Sequence, residues 1–316
     1  MLLKKAMHES FLPRLVSALP RKLRRHTVVR VLARIFPRGK IATFRFNGSA
    51  FITADLADAA VRQALITRSF EPEFFPLARP FLLPGTAFFD VGANHGFCTF
   101  GLLEQASVKQ QMEYHLFEAN AHLCETLALS RQNYPHHSIF VNHTCVSDEL
   151  GSSRLTIDHE NWGASFISAG PMNGNEISNV ILDSYMQERP GLTASFVKMD
   201  IEGYELHALR GLEASIQKGL IGALSIECST KNLARQGSDP ATLVDLLNRL
   251  GCRCFWFRDQ DLIAMPSRVS RQIVPREPGE PVLLAPIESI PVGHETDILA
   301  IAEKGPHGHL LAQVPP

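Results

Sequence analysis

Long apolar runs are missing from the sequence. Nowhere among the 316 residues do about 20 uncharged apolar residues follow one another, which is the length that a membrane-spanning helix needs. Lys4 and Lys5 precede apolar residues at the start, but His8, Glu9 and Arg14 interrupt what would be the apolar core of a signal peptide. We therefore expect neither a membrane span nor a signal peptide, and we predict a cytoplasmic protein.

Cys-x-x-Cys pairs are also missing. The chain has six cysteines, none of which forms a Cys-x-x-Cys pair, and the shortest spacing is that of Cys252 and Cys254. Zinc ribbons depend on Cys-x-x-Cys pairs and disulfide-rich scaffolds on a denser set of cysteines, so both are poorly supported. We predict reduced thiols that are mostly buried, and no zinc site.

The chain also lacks an overall excess of charge, since its net charge is −1, but the charges are segregated. Residues 1–40 hold 11 of the 31 Lys and Arg residues and one acidic residue, Glu9, whereas the remainder holds 20 basic and 31 acidic residues. Apolar residues at helical spacing within 28–36 predict a helix whose apolar face packs on the body or on a partner. Its basic face then suits an acidic protein surface or, secondarily, an anionic membrane. No aromatic-rich basic stripe accompanies it, so we expect no nucleic-acid partner.

Short apolar strands alternate with helical segments from residue 87 onward. This alternation predicts an α/β fold, in which a doubly wound, mostly parallel seven-stranded sheet carries helices on both faces. The predicted strands are Ala87–Val91, Tyr114–Phe117, Ser138–Cys145, Ser195–Met199, Ile221–Ile226, Arg253–Phe257 and Asp297–Ala302. The main predicted helices cover 97–104, 121–133, 204–217 and 241–250.

The preceding residues predict a helical and hairpin extension. Thr43–Thr53 is typical of a hairpin that turns at Asn47-Gly48, because this dipeptide accepts positive φ at both turn positions. Helices are expected near 56–67 and 73–79. The predicted organisation is a basic arm with hairpin and helices over 1–80, a main domain over 81–304 and a tail over 305–316. Within the domain, an insertion over 146–190 is expected above the carboxyl ends of the strands, where substrates usually bind.

The loop Gly92–Gly96 follows an apolar strand that ends in an acid, Asp90, and it leads into a helix. Glycines allow close approach of a ligand to the backbone, and a helix N-terminus offers free N–H groups. In nicotinamide dehydrogenases the corresponding loop is GxGxxG and binds a pyrophosphate. Here the glycine pattern differs, and Asp90 would repel a pyrophosphate. Glu118, at the tip of the next strand, can accept hydrogen bonds from both hydroxyls of a ribose.

Several motifs that follow one another along the chain resemble those of a known protein family. Asp90-Val91-Gly92-Ala93-Asn94-x-Gly96 looks like the first motif of class I S-adenosylmethionine-dependent methyltransferases. Over about residues 70–230 the chain resembles the FkbM-type methyltransferases. The further motifs that carry this resemblance are Phe117-Glu118-Ala119-Asn120, Ala164-Ser165, Leu182-Asp183-Ser184-Tyr185 and Lys198-Met199-Asp200-Ile201-Glu202-Gly203-Tyr204-Glu205.

The resemblance implies a Rossmann-like fold, S-adenosylmethionine as cofactor and methyl transfer, usually to a hydroxyl of a small molecule or sugar. Asp90 would line the methionine end of the cofactor, and Glu118 would hold its ribose. Asp148, after the third strand, would meet the adenine amino group. The loop residues expected to wrap the cofactor are Gly92, Ala93, Asn94 and Gly96.

Three carboxylates are candidates for the catalytic base. If the acceptor is a hydroxyl, a base must remove its proton during attack. Asp200 is the first candidate because it ends a central strand and should face the substrate crevice; Glu202 and Glu227 follow. Alternatively, Glu202 and Glu205 are acids that favour a helix N-terminus, and Glu227 pairs with a basic residue. Three carboxylates would also suit magnesium or calcium, but a metal is not favoured.

Other interpretations stay open at this point. A nicotinamide-dependent oxidoreductase, a non-catalytic cofactor-binding scaffold and an RNA methyltransferase that uses the basic arm are the alternatives. His95 is either a proton acceptor near the cofactor or, as we favour, a loop residue hydrogen-bonded to backbone. Trp162 either contacts the acceptor or packs the insertion.

Overall fold

The computed structural model describes most of the chain. The described residues are 9–18, 20, 31, 41–72, 74–105, 111–159, 161–168, 174–257, 271–275, 281–286 and 295–313. The basic helix predicted within 28–36 therefore lies outside the described residues, apart from Val31. In the described part, no helix has both the length and the apolar character that crossing a membrane requires.

Strands and helices alternate along the chain after an initial hairpin. The strands are β1 (Ile41–Phe46), β2 (Ala50–Asp55), β3 (Ala87–Val91), β4 (Glu113–Glu118), β5 (Ser138–His143), β6 (Cys145–Val146), β7 (Ser152–Thr156), β8 (Phe166–Ile167), β9 (Asn175–Val180), β10 (Ala194–Met199), β11 (Ile221–Ser229), β12 (Cys252–Phe257), β13 (Arg271–Pro275), β14 (Pro281–Pro286) and β15 (Glu295–Ala302). The helices are α1 (Phe11–Ala18), α2 (Ala59–Thr67), α3 (Phe74–Ala78), α4 (Phe97–Gln105), α5 (Ala121–Arg131), α6 (Leu182–Gln187), α7 (Glu205–Arg210), α8 (Glu213–Gln217), α9 (Thr230–Arg235) and α10 (Pro240–Arg249). Short 3₁₀ segments cover Arg79–Phe81, Trp162–Ala164 and Gly308–Gln313.

The main sheet confirms the predicted fold class. Its order is β13-β14-β12-β15-β11-β10-β3-β4-β5. The seven strands from β12 to β5 correspond to the predicted sheet, and β15 is antiparallel to both its neighbours, β11 and β12. The strands β13 and β14, which were not predicted, extend the edge beyond β12. Because β3, β4, β5, β10 and β11 are parallel, their carboxyl ends meet at one edge of the sheet.

Apolar residues cover both faces of this sheet, as its parallel strands require. On one face, Phe88 and Phe196 belong to the same buried cluster as Phe44 and Ile52 of the hairpin and Phe100 of α4. The other face packs against α6, α7 and α10 through a second buried cluster. The extension is therefore part of the layer that covers the first face.

The hairpin turns where the sequence predicts it. Asn47 and Gly48 have φ values of 42° and 92°, the left-handed conformations that this turn requires. The strands β1 and β2 pair in antiparallel register from Phe46–Ala50 outward.

Two predicted elements are divided in the structure. The strand predicted over Ser138–Cys145 ends at His143, and Cys145–Val146 joins the small sheet β6-β9-β7-β8 of the insertion. The helix predicted over 204–217 is two helices, α7 and α8, separated at Gly211. A Cβ at Gly211 would overlap the carbonyl oxygen of Ser147, so the break accommodates the chain that enters the insertion.

Candidate functional site

A cavity lies at the carboxyl ends of β3, β4 and β10, beneath the insertion. Its empty volume is about 560 Å³, part of which is open solvent. The predicted site residues in its wall are Gly92, Asn94, Glu118, Asp200 and Glu202. The insertion covers it with the 3₁₀ turn of Trp162 and with Phe166 and Ile167. The predicted residues outside its wall are Asp90, Ala93, Gly96, Asp148 and Glu227.

The glycine loop is held tightly by its surroundings. The backbone N–H groups of Gly92 and Ala93 both donate to the carbonyl oxygen of Phe117, at 2.9 and 3.1 Å. A Cβ at Gly92 would overlap the carbonyl oxygen of Asp200, and a Cβ at Gly96 would overlap the side chains of Phe100 and Leu127. These glycines are therefore required by the protein's own packing, whereas the sequence had suggested that they make room for a ligand.

Glu118 fixes this loop to the tip of β4. Its Oε2 accepts a hydrogen bond from the N–H of Asn94 and its Oε1 accepts one from the N–H of Asn120, both at 2.8 Å. Burial raises the pKa of Glu118 to about 7, although these two N–H groups act to lower it. Each carboxylate oxygen has two acceptor positions, so Glu118 can still accept hydrogen bonds from a diol in the cavity.

Asp90 lies beneath the loop rather than in the cavity wall. Its Oδ2 accepts a hydrogen bond of 2.6 Å from the hydroxyl of Thr99. Its Oδ1 is buried and has no hydrogen-bond partner among the described residues. Burial raises the pKa of this carboxyl. A buried acceptor without a partner is costly, so Asp90 has capacity for a donor that the described residues do not supply.

Lys198 is a charged residue of this region to which sequence reasoning assigned no role of its own. It is Asp90's neighbour in the pairing of β10 with β3, and its Nζ donates to Oδ2 of Asp200 at 2.8 Å. Burial acts to lower the pKa of Lys198, but the charges of Asp200 and other nearby groups, including Asp90, outweigh it and raise the pKa well above its ordinary value. Lys198 therefore supplies a fixed positive charge behind Asp200. A lysine within an otherwise apolar strand was the available signal.

Glu205 is the first residue of α7, as the helix-start interpretation expects, and it also braces the loop that follows Asp200. Its Oε1 accepts hydrogen bonds from the N–H groups of Ile201, at 2.9 Å, and Gly203, at 3.2 Å. The residue is only 1% exposed, and its Oε2 has no partner within the described part of the chain. Burial raises its pKa to about 7.

Glu202 and Glu227 meet at the side chain of Asn232. The Nδ2 of Asn232 donates to Oε2 of Glu202 at 2.8 Å and lies 3.4 Å from Oε2 of Glu227. Burial, followed by the charges of Asp200, Glu205 and Glu202, raises the pKa of Glu227 to about 9. Glu227 therefore carries a proton at neutral pH, and it pairs with an amide where a basic partner was one expectation.

Asp148 is not part of the cavity wall. It accepts a hydrogen bond from Nδ1 of His207 at 2.9 Å, and Arg210 lies 3.7 Å from its other oxygen. The adenine contact stays a prediction, and Asp148 would have to leave this ion pair to make it. Tyr204, which lies in the cavity wall and stacks on His207 with ring centroids 4.4 Å apart, is an aromatic wall residue that sequence reasoning missed.

His95 has neither of the surroundings that the sequence suggested. The ring is fully buried, and neither nitrogen makes a hydrogen bond within the described residues, so the favoured hydrogen bond to backbone is not found. Its Nε2 lies 3.8 Å from Oδ2 of Asp58, and its ring lies 5.9 Å from the ring of Trp162. His95 belongs to the packing that surrounds Trp162.

No cluster of three or more His, Cys, Asp or Glu residues that could hold a metal ion occurs among the described residues. The six cysteines are free thiols, and all except Cys124 are buried.

Comparison with known proteins assigns the family. Residues 90–254, just over half of the chain, match the sequence profile of the methyltransferase FkbM domain. The chain belongs to the FkbM methyltransferase family. The FkbM match begins at Asp90 and ends within β12, so it contains the whole cavity edge of the sheet. A search of curated proteins returned no significant match.

Three of the solved structures that match the chain are methyltransferases of distant sequence. Precorrin-6y C5,15-methyltransferase from Geobacter metallireducens is 8% identical with a TM-score of 0.37, and the match covers 73% of this chain and 88% of that chain. An S-adenosylmethionine-dependent O-methyltransferase from Thermotoga maritima is 9% identical with a TM-score of 0.37, covering 84% and 77%. M. jannaschii TYW2, solved with S-adenosylmethionine, is 10% identical with a TM-score of 0.37, covering 83% and 86%. The family assignment depends on the FkbM match and not on these likenesses.

The residues at the cavity fit the cofactor of an FkbM methyltransferase. S-adenosylmethionine carries a ribose diol, an ammonium group and a positively charged sulfonium. Glu118 offers acceptors for the diol. In the cavity wall, Oδ1 of Asn94 has no hydrogen-bond partner among the described residues and is an acceptor that suits a cationic donor. Oδ1 of Asp90 also has no such partner, but it lies outside the wall.

Proposed function

We propose that this protein transfers a methyl group from S-adenosylmethionine to a hydroxyl of a neutral small molecule or sugar, with a carboxylate as general base. One observation carries the proposal. The cavity at the strand tips brings Glu118, Asn94 and Asp200 together. This set supplies acceptors for the hydroxylated and the cationic parts of that cofactor in one place.

The cofactor, when bound, supplies a methyl group on a sulfonium, which makes the methyl carbon reactive toward a nucleophile. The protein has to bind it, align the acceptor and exclude water. Glu118 would hold the ribose, and Asn94, whose Oδ1 has no partner among the described residues, would bind the ammonium end. The insertion limits the access of water, because Trp162 and Ile167 cover part of the cavity with apolar surface.

Asp200 is the proposed base. It lies in the cavity wall with its side chain 35% exposed, so an acceptor hydroxyl can reach it. Lys198 fixes its orientation through the 2.8 Å hydrogen bond. Glu202 is the second candidate, since it also lies in the wall. Glu227 is the weakest, because a carboxyl with a pKa of about 9 already holds a proton at neutral pH and cannot accept another.

The charge of this region favours a neutral acceptor. Asp200 and Glu202 both lie in the cavity wall, and Lys198 is paired with Asp200. A phosphorylated or carboxylated acceptor would be repelled here, whereas a hydroxyl can donate a hydrogen bond to a carboxylate. The basic segment 1–40 is proposed to contact an acidic protein surface or an anionic membrane, and no nucleic-acid acceptor is proposed.

Binding titrations with S-adenosylhomocysteine and with NAD test the cofactor. We expect the first to bind and the second not to bind, and Glu118→Gln should weaken the first. Saturable binding of NAD alone would overturn the proposal in favour of an oxidoreductase.

Incubation of the purified protein with S-adenosylmethionine and fractionated metabolites tests the reaction. Mass spectrometry should find a neutral metabolite that gains the mass of one methylene, and the gain should disappear with Asp200→Asn. Cofactor binding without transfer to any fraction would identify a scaffold instead.

A further inference from the structure

The turn that covers the cavity is bound to the N-terminal extension. The 3₁₀ turn Trp162–Ala164 belongs to the insertion, and Trp162 lies in the cavity wall. The backbone N–H of Trp162 donates a hydrogen bond of 2.8 Å to Oδ2 of Asp58, which is 104 residues earlier in the chain. Both residues are buried, so no solvent competes for this bond.

Asp58 performs two tasks with its two oxygens. Its Oδ1 accepts hydrogen bonds from the N–H groups of Ala60 and Val61, at 2.7 and 3.1 Å, and so caps the start of α2. Burial acts to raise its pKa, but the neighbouring His95 and the N–H groups of Trp162 and Val61 hold the pKa below its usual value. An ionised carboxylate accepts stronger hydrogen bonds than a neutral group, so the bond to Trp162 is a strong one.

Two histidine rings lie next to the indole ring of Trp162. The ring of His122 meets it edge-on with centroids 4.4 Å apart, and the ring of His95 lies 5.9 Å away. The Nε2 of His122 is 3.1 Å from Oδ2 of Asp55, at the end of β2. Asp55 and Asp58 are therefore two carboxylates of one turn that both secure the surroundings of Trp162.

The turn also contacts the cofactor loop. A Cβ at Gly163 would overlap Nδ2 of Asn94, so these two segments touch directly. Asn94 is held in a left-handed conformation, with φ 52°, and its N–H is bound by Glu118. The position of the turn thus affects the residue that carries one of the free acceptor oxygens.

We propose that Asp58 is a positioning residue that holds Trp162 closed over the cofactor cavity. The extension before the family-matching segment therefore completes the cofactor site, although it supplies no residue to the cavity wall among those described. The cofactor role of the cavity rests on the proposed function; the attachment of Trp162 to Asp58 does not.

The test uses Asp58→Ser in full-length protein that also carries Trp256→Phe, which leaves Trp162 as the single tryptophan. Serine still caps a helix but is too short to reach the N–H of Trp162 as well. Acrylamide quenching of Trp162 fluorescence, without ligand, should increase at least about twofold. The affinity for S-adenosylhomocysteine should fall about tenfold, as expected for losing one charge-assisted hydrogen bond.

Asp239→Ser is the matched control. The side chain of Asp239 caps α10 by accepting hydrogen bonds from Thr242, at 2.8 Å from the N–H and 3.1 Å from the hydroxyl, and within the described part of the chain it has no bond to another segment. This variant should leave both readouts at the parent value. Unchanged quenching in Asp58→Ser would overturn the proposal.

Hydrogen exchange of the parent protein provides a measurement that needs no variant. The amide of Trp162 should be protected despite lying in a turn, because it is buried and bonded to Asp58. Exchange at the rate of an exposed amide would overturn the proposal even if Asp58→Ser does not fold. If the parent fails to bind S-adenosylhomocysteine, the proposed function fails, while quenching and exchange still decide the role of Asp58.

Discussion

The carbonyl oxygen of Asp200 occupies the space in which a side chain at Gly92 would begin. The loop after β3 is expected to bind the cofactor, and the loop after β10 carries the proposed base. These two loops are therefore in direct contact at a point where only a residue without a Cβ fits. The N–H of Asp200 also donates to the carbonyl oxygen of Val91 at 3.0 Å. The spacing of these two loops is consequently fixed by backbone.

Gly92→Ala should separate the two loops. Its φ of +80° is unfavourable for alanine, and the new Cβ must displace the backbone of Asp200. We expect a loss of more than about 2 kcal/mol in the free energy of unfolding, measured by urea denaturation. Gly85→Ala is the control, with a φ of +76° and nothing within 4 Å of the new Cβ, and it should cost only about 1 kcal/mol. Equal losses would contradict the role assigned to the contact.

Cofactor binding should depend on the ionisation of Glu118. Since its pKa is raised to about 7, the carboxylate that accepts hydrogen bonds from a diol is lost as the pH falls through 7. The affinity for S-adenosylhomocysteine should therefore increase about tenfold from pH 6 to pH 8. Glu118→Gln should bind more weakly at pH 8 and show no such dependence, and a wild-type affinity that is flat in pH would refute this explanation.

Substitutions should show which of the three candidate carboxylates is the catalytic base. Asp200→Asn should keep the affinity for S-adenosylhomocysteine within about twofold and lower the transfer rate at least about 100-fold, since a positioned base contributes that much. Glu227→Gln should retain most of the activity at neutral pH, because glutamine resembles the protonated carboxyl already present. Activity in Asp200→Asn that equals wild type, together with loss in Glu202→Gln, would move the role to Glu202.

Glu205 should make the protein less stable as the pH rises. Its pKa is about 7 in the folded protein and 4.5 ordinarily, so between these values the folded state holds a proton that the unfolded state has lost. The associated stability is present below pH 4.5 and is lost as the pH rises through 7, which amounts to roughly 3 kcal/mol. Urea unfolding from pH 5 to pH 8 should show a smaller decline for Glu205→Gln than for wild type. Glu188→Gln, which changes an exposed carboxylate, is the control, and an identical decline in all three proteins would count against the assignment.

Elements with local signals were predictable from the sequence. The hairpin turn at Asn47-Gly48 and the strands before Asp90 and Asp200 follow from residue types next to each other in the chain. The fold class and the family motif follow from the order of such signals. Gly92, Asn94, Glu118, Asp200 and Glu202 were placed at one cavity because parallel strands end at the same edge.

The side-chain partners were not predictable, because they depend on packing between distant segments. Asp58 and Trp162 are 104 residues apart, and neither pattern nor spacing indicates their bond. Glu205 was interpreted from its place at a helix start, whereas its partners are set by a left-handed turn at Glu202 and Gly203. Asp148 follows the expected strand, but α7 places His207 within hydrogen-bonding reach of it, and Asp148 is not in the cavity wall.

The buried cluster that joins Phe44 and Ile52 to Phe88 and Phe196 crosses the boundary at which recognisable similarity begins, residue 90. A fragment trimmed to the matching segment would start inside β3 and leave aromatic surface of the sheet uncovered. The stretch that shows common descent and the stretch that must be expressed together to obtain a folded protein therefore have different limits. Recombinant pieces for crystallisation or domain grafting should keep the hairpin.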